Sequence, residues 1–238
     1  MARMAPGTEQ AAGTRSDQRA GGGDGPKPRL RGWLHAGAAV AALGITIALL
    51  VRTQDDRVRF ATLLVFGLSM VELYAVSAVY HIGTWSAQRQ RVLRALDHSN
   101  IFVLIAGTYT PICAAVLTGW VRTTVLVLIW GLAVVGVGSA VLAQRLPRWI
   151  GTALYIAMGW LALATFPALS ARLPWPALAL LILGGVLYTL GGVIYARRRP
   201  DPWPQVFGFH ELFHLFTIAG GAAFVVVVWV WVVPVGAP

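Results

Sequence analysis

The amino-acid sequence predicts an all-α membrane protein, a bundle of seven transmembrane helices with its N-terminus in the cytoplasm and its C-terminus outside. Apolar residues make up 57% of the chain and charged residues only 12%, which would leave a soluble domain without a polar surface. The apolar residues fall into seven runs of about 18 to 25 residues. At a rise of about 1.5 Å per residue, each run is long enough to cross a hydrocarbon layer of roughly 30 Å as a helix.

The residues before the first apolar run are predicted to form a tail, at positions 1–31. This segment is basic and glycine-rich, with a Gly21-Gly22-Gly23 run and almost no large apolar side chain to bury, so we expect it to be disordered and cytoplasmic. A signal peptide would carry its apolar stretch closer to the N-terminus, so we expect no cleavage. Positions 32–238 are predicted to form one transmembrane domain.

The predicted spans are apolar throughout and are separated by short polar or proline-containing connections. The bounds of the fifth run are the hardest to place, because Pro167 and a Pro174-Trp175-Pro176 turn crowd its link to the sixth. The predicted spans are 33–51, 60–80, 97–117, 123–143, 149–169, 175–196 and 209–233.

The basic residues are concentrated on one side of this arrangement. With the N-terminus inside, fourteen of the nineteen Lys and Arg residues fall in cytoplasmic segments and five fall outside. Positively charged loops resist transfer across the membrane, so this bias gives the predicted orientation. These loop clusters also account for the net charge of +10, and we expect no nucleic-acid binding. The single cysteine, Cys113, excludes an intramolecular disulfide.

The histidines all fall at helix ends on the predicted cytoplasmic side. Ionisable groups are costly inside a membrane protein and often mark its function. Histidines near helix ends are also common, and neighbours on one helix necessarily fall together, so their position alone leaves both a functional and a structural interpretation open. The five residues are His35, His81, His98, His210 and His214.

One subset of these histidines has the spacing of metal ligands. His210 and His214 are four residues apart, so a helix presents both imidazoles on one face, although this spacing is equally compatible with a pair that binds no metal. Ser77 and His81 are also four apart, which offers a third imidazole and a hydroxyl one turn deeper. Asp97 supplies a carboxylate at the same depth, able to bind the metal or to deprotonate a water. Three histidines with an open fourth position are typical of catalytic zinc.

The other ionisable groups have structural interpretations. Glu72 is nine residues before His81, on another face of the helix, and is predicted to make an interhelical hydrogen bond. His98 points about 100° away from Asp97 and is predicted to cap a helix or face an interface rather than bind the metal. His35 is either a neighbour of the site or a buried interface histidine. Asp97 itself stands where a carboxylate caps a helix, a role compatible with catalysis.

Three sequence blocks resemble the haemolysin III branch of the progestin and adiponectin receptor family, which is grouped with the alkaline ceramidases. The opening His35-x-Gly37 is also similar to the bacterial branch, although the acidic residue that often precedes it is absent. The resemblance covers about residue 31 to the C-terminus. The blocks are Ser77-x-x-Tyr80-His81, Asp97-His98-Ser99-Asn100-Ile101-Phe102 followed by Ala106-Gly107-Thr108-Tyr109-Thr110-Pro111, and Phe207-Gly208-Phe209-His210-Glu211-x-x-His214.

This resemblance implies a zinc ion near the cytoplasmic face, held by His81, His210 and His214, with Ser77 and Asp97 at the adjoining polar positions. Receptors and ceramidases of the group are associated with the hydrolysis of lipid amides by a zinc-activated water. The expected function is therefore zinc-dependent hydrolysis of a membrane lipid amide or ester, with Asp97 and Ser77 as catalytic residues and membrane lipids as surroundings and substrate. The alternative is a zinc-stabilised sensor, receptor or pore-forming cytolytic protein that catalyses nothing.

Overall fold

The computed structural model describes residues 28–142 and 148–234, and this part of the chain is helical and contains no β-strand. Seven of its helical segments are long and apolar enough to span a membrane, which confirms the predicted fold class and makes the chain a multi-pass membrane protein. Of the predicted tail, residues 1–27 lie outside the described residues. The helices are α1 (Trp33–Val51), α2 (Arg57–Ile82), α3 (Ala87–Val116), α4 (Gly119–Leu142), α5 (Arg148–Trp160), α6 (Phe166–Ser170), α7 (Trp175–Arg197) and α8 (Phe209–Val227).

Helices α2, α3 and α4 begin three or more residues before the predicted spans, and cap residues explain the early starts of α3 and α2. Helix α3 begins at Ala87 instead of 97, after Ser86, whose hydroxyl oxygen accepts a hydrogen bond from the backbone N–H of Arg89. Helix α2 begins at Arg57, after Asp56, whose carboxylate caps the backbone N–H of Arg59 at 2.9 Å. The added turns are polar, so a search for apolar runs misses them, whereas the caps determine where the helices begin.

The fifth span is not one helix. It consists of α5, a 3₁₀ turn over Leu161–Thr165, and the short α6. Pro167 lies in the first turn of α6, where its missing N–H does no harm, but it could not continue an uninterrupted helix. The carbonyl oxygen of Gly159, near the end of α5, accepts a hydrogen bond from the Tyr109 hydroxyl of α3 at 2.8 Å. The break is thus held against the centre of the bundle.

Helix α3 is the centre of the bundle and α4 is its periphery, since 72% of the apolar stretch of α3 is buried and only 17% of that of α4. Helices α1 to α4 pack as successive neighbours, α7 packs along α8, and α8 contacts α1. Glycines allow the close approach of α7 and α8, because a Cβ on Gly220 would lie 3.2 Å from the carbonyl oxygen of Gly184. A π-helical turn, Val228–Val232, ends the last span.

A short segment before α1, residues 28–32, forms what we call the N-terminal strap. The backbone N–H groups of Arg29 and Leu30 donate to the carbonyl oxygens of Gln205 and Val206, at 3.0 and 3.2 Å. The strap is therefore bonded to the connection between α7 and α8. It ends at Gly32, whose φ of 86° is a conformation that favours glycine.

Candidate metal centre

Five predicted site residues meet at one end of the bundle, which we call the histidine end. It is formed by the beginnings of α1 and α8, the end of α2 and the third turn of α3. Asp97 lies in that turn, ten positions after the helix begins, so the prediction that it stands at a capping position was wrong. The antiparallel course of α1 to α3 brings alternate helix ends to the same level, and α8 returns to that level beside α1. The residues that gather there are Ser77, His81, Asp97, His210 and His214.

Three imidazoles form the centre of this end. One ring nitrogen from each of His81, His210 and His214 lies within 4.8 Å of the other two, and the three rings are buried or nearly so. The Nε2 atoms of His81 and His210 are 3.1 Å apart. Two nitrogens bound about 2.0 to 2.1 Å from a tetrahedral zinc ion lie roughly 3.3 Å from each other, so this separation suits a shared cation. The predicted three-histidine group is therefore assembled by the fold.

The predicted carboxylate and hydroxyl lie directly beside the imidazoles. The Oδ2 atom of Asp97 is 3.7 Å from Nε2 of His81. The side chain of Ser77, one turn before His81 on α2, makes a hydrogen bond to the Asp97 carboxylate. This bond directs Asp97 toward the histidines from a separate helix, an arrangement typical of residues that orient metal ligands or a water molecule.

The two remaining histidines have different surroundings. His98 lies outside the three-histidine group, as predicted: its Nδ1 is 2.9 Å from the carbonyl oxygen of Arg94, and the hydroxyl of Tyr195 is 3.3 Å from its Nε2. His35 is buried and stacks on His214. Neither ring nitrogen of His35, nor Nδ1 of His214, has a hydrogen-bond partner among the described residues. His35 is thus a direct neighbour of the site.

Sequence reasoning missed one ion pair at this end. Glu211, next to His210, is fully buried, and the guanidinium of Arg31 in the strap forms an ion pair with its Oε1. Its Oε2 accepts a hydrogen bond from the backbone N–H of Gly208 at 2.8 Å. With both oxygens engaged, this carboxylate is a structural anchor. No local signal connects Arg31 with Glu211, because 180 positions separate them.

The environment of Glu72 differs from the prediction. Its side chain is exposed on the outer face of α2. An interhelical contact does exist, but through the backbone: the side-chain amide of the buried Asn100 lies 3.5 Å from the carbonyl oxygen of Glu72. The prediction that Glu72 lies on another face of α2 than His81 was correct, and that face is exposed.

A long cavity of about 180 Å³ leads away from the histidine end. It begins at Ser77, Asp97, His210 and His214 and follows α3 as far as Cys113. Sixteen residues of helix separate Asp97 from Cys113, a length of about 24 Å at 1.5 Å per residue. Most of the lining comes from apolar and aromatic side chains of α3, the fifth span, α7 and α8, for example Leu104, Ile112 and Phe224. The cavity is therefore polar at one end and apolar along the rest.

Known proteins of one group are similar to this chain. A family described as "Haemolysin-III related" matches residues 25–225. A "Hemolysin-3 homolog" of Bacillus subtilis (strain 168) is 36% identical over 159 residues, which are 67% of this chain and 71% of that protein. "Hemolysin-3" of Bacillus cereus is 31% identical over 202 residues, 84% of this chain and 89% of the other. An "Adiponectin receptor protein" of Drosophila melanogaster is 25% identical over 214 residues, covering 81% of this chain and 47% of that protein.

Proposed function

This chain belongs to the haemolysin III-related family, as its sequence blocks indicate, and we propose that it is a zinc-dependent hydrolase of an amide or ester bond in a membrane lipid. One observation supports this most: three imidazoles, each with a ring nitrogen within 4.8 Å of one on the other two, lie beside a carboxylate and a hydroxyl, at the polar end of a long apolar cavity. Three neutral nitrogen donors with space for a fourth ligand suit catalytic zinc.

The residues of the site have separate roles in this proposal. His81, His210 and His214 hold the ion, which when bound supplies a Lewis acid and an activated water for attack on a carbonyl carbon. Asp97 is the general base: it takes the proton of the attacking water at Oδ2, the oxygen 3.7 Å from Nε2 of His81, and returns it to the amine or alcohol that leaves when the C–N or C–O bond breaks. Ser77 keeps that carboxylate oriented through its hydrogen bond, and its hydroxyl is placed to donate to the developing oxyanion as the carboxylate becomes protonated.

The cavity supports a lipid as the substrate. One leaflet of a bilayer has a hydrocarbon thickness of about 15 Å, half of the roughly 30 Å core. The apolar chamber along α3, about 24 Å long, is therefore long enough to accept an acyl chain whose carbonyl group lies at the histidine end. Residues of the broken fifth span, such as Trp160 and Leu163, line the same chamber, and Leu163 is also exposed on the outside of the bundle, so this proposal has the substrate enter from the bilayer beside it.

The orientation is part of the proposal: the histidine end faces the cytoplasm. This follows from the concentration of basic residues on that side, since positively charged loops stay in the cytoplasm. Labelling of single-cysteine variants in intact cells tests it, after Cys113 has been replaced by Ser. Arg89→Cys is expected to react with the label only after the cells are opened. Asp55→Cys is expected to react in intact cells. The reverse pattern would refute this orientation.

The hydrolase proposal is tested on purified protein. Bound zinc is measured, and release of fatty acid from a ceramide-type amide and from the corresponding ester is compared for the wild type, His214→Ala and Asp97→Ala. His214→Ala is expected to lose zinc and activity, whereas Asp97→Ala should keep zinc and lose most of its activity. Asp55→Ala, the same change at an exposed position of the α1 to α2 connection, is the matched control. A zinc-loaded Asp97→Ala protein with unchanged activity would sink the catalytic assignment.

A non-catalytic zinc protein is the second candidate, and the arrangement of the ligands favours it in one respect. His81 lies on α2 and the other two ligands on α8, helices that make few close backbone contacts with each other. A shared ion would clamp them, as in a sensor, receptor or pore-forming protein. Wild-type protein that binds zinc but cleaves neither amide nor ester would favour this candidate, and lysis of vesicles or cells by the same protein would select pore formation within it.

A further inference from the structure

The ion pair between Arg31 and Glu211 joins the N-terminal strap to the helix that carries two of the histidines. Glu211 lies in the first turn of α8, directly after His210, and its side chain is 0% exposed. Arg31 is 18% exposed. An ionised carboxylate buried to this extent is stable only when a charged partner and further hydrogen bonds satisfy it, and here Arg31 and the N–H of Gly208 do so.

The strap also contacts the helix that carries the third histidine. At Gly32 the chain turns so tightly against the end of α2 that an added Cβ would lie 2.9 Å from the Cβ of His81. The strap therefore touches α2 at His81 and α8 at Glu211. Because α2 and α8 make few close backbone contacts of their own, the strap is a brace between the two helices that bear the three imidazoles.

We infer that Arg31 is a positioning residue for the metal centre: through its ion pair with Glu211 it holds the first turn of α8 so that His210 and His214 stay within binding distance of His81. This inference rests on the metal site of the proposed function. Without the guanidinium, Glu211 would be an unpaired buried charge, and the first turn of α8 would move toward water to hydrate it. The two α8 imidazoles would move with it, whereas His81 would remain on α2.

Arginine is suited to this position for a geometric reason. Its guanidinium is planar and carries several N–H donors in a fixed fork, so it can fix the orientation of a carboxylate as well as neutralise its charge. A lysine ammonium would keep the charge but fix the orientation of Glu211 less well. The two contributions, charge and orientation, can therefore be separated by substitution.

The experiment measures zinc affinity by competition with a chelating dye on the purified full-length protein, and the visible absorption of Co²⁺ substituted for zinc. Arg31→Gln is expected to weaken zinc binding by about 10 to 100-fold, the usual range for a residue that orients metal ligands, and to change the Co²⁺ spectrum. Arg31→Lys should fall between this variant and the wild type. The double variant Arg31→Gln with Glu211→Gln should recover much of the affinity, because it leaves no buried charge unpaired.

Arg29→Gln is the matched control. It removes the same charge from the same strap, but the side chain of Arg29 is exposed, and among the described residues its bond to the α7 to α8 connection is made by the backbone. Its zinc affinity and Co²⁺ spectrum should match those of the wild type. Thermal unfolding of the zinc-free proteins measures any general loss of stability. A variant that is only less stable keeps the wild-type Co²⁺ spectrum while it is folded, whereas a variant with displaced ligands does not.

The outcomes distinguish this inference from the proposed function. A wild type that binds no zinc would overturn the metal centre and this inference together. A wild type that binds zinc, with Arg31→Gln equal to it in affinity and Co²⁺ spectrum, would overturn this inference alone. If Arg31→Gln does not fold, Arg31→Lys and the double variant decide: the inference fails if Arg31→Lys binds zinc as tightly as the wild type with an unchanged spectrum.

Discussion

The imidazole rings of His35 and His214 lie parallel, with their centroids 3.7 Å apart and their planes inclined by only 8°. His35 belongs to the first turn of α1 and His214 to the second turn of α8. Tyr74 of α2 also packs against His35, with ring centroids 5.1 Å apart and planes inclined by 55°. A proposed metal ligand is therefore backed by aromatic packing that involves three helices, and the plane of its ring is fixed by this packing.

This stacking predicts that shape matters more than ring nitrogens at position 35. We expect His35→Phe, which keeps an aromatic ring and removes two buried nitrogens without partners among the described residues, to retain zinc affinity within a few-fold. His35→Ala leaves a cavity and should lower the free energy of unfolding by about 2 kcal/mol and weaken zinc binding. Thermal unfolding and zinc titration check both. Equal losses in the two variants would show that the nitrogens of His35 are required.

Zinc should stabilise the fold through its three ligands. An ion at about one hundred times its Kd stabilises the native state by ~2.7 kcal/mol if it does not bind the unfolded chain. We therefore expect added zinc to raise, and a strong chelator to lower, the Tm of the wild type. Zinc should leave the Tm of His214→Ala unchanged. His98→Ala is the control, because His98 bonds to Arg94 and Tyr195 outside the three-histidine group, and its zinc-dependent Tm shift should persist.

Glu72 is predicted to destabilise the protein in its membrane. Its exposed side chain lies near the middle of α2, in line with the exposed Leu68 one turn earlier. A charged residue at the centre of a spanning helix costs about 3 kcal/mol on insertion scales. Glu72→Leu should therefore raise the Tm and the membrane-inserted fraction, and Leu68→Glu should lower both. A Glu72→Leu protein that inserts less well than the wild type would show that the carboxylate has a favourable partner in the membrane.

The close approach of α7 and α8 predicts a contrast between two glycines. A Cβ at Gly220 would contact the ring of Tyr188 and the carbonyl oxygen of Gly184, so Gly220→Ala should destabilise the protein by about 1 to 3 kcal/mol. At Gly138 on α4 a Cβ would meet nothing within 4 Å, and Gly138→Ala should be neutral or stabilise by roughly 0.5 to 1 kcal/mol. Thermal unfolding checks this contrast: Gly138→Ala should have the higher Tm, and the reverse order would contradict the prediction.

The sequence predicted what depends on local periodicity. The span at 33–51 coincides with α1, and helical phase was enough to place His210 with His214 and Ser77 with His81. The early start of α3 was missed because Ala87 begins a polar stretch, in which Ser86 caps a helix that apolarity does not mark. The break at Leu161 was missed because a 3₁₀ turn has almost the same apolar pattern as a helix.

Contacts between residues far apart in the chain could not be predicted from the sequence, for a different reason. Arg31 and Glu211 each resemble an ordinary charged residue near a membrane surface, and only the packing of α1 against α8 makes them partners. Tyr195, which reaches His98 from the end of α7, gave no signal either, since tyrosines at span ends are common. The cavity has no sequence signature, because its apolar lining residues resemble ordinary core residues.

The separation of the histidines along the chain governs how the protein matures. His81 and His210 are 129 positions apart, and both α8 histidines belong to the seventh of the described spans. During synthesis, the first six spans leave the ribosome and enter the membrane before a second imidazole reaches His81. A chain truncated before α8 can insert, but it has only one of the three imidazoles. Completion of the three-histidine group therefore has to wait for α8, so zinc binding by the wild type reports that the seventh described span has entered the membrane and packed beside α2.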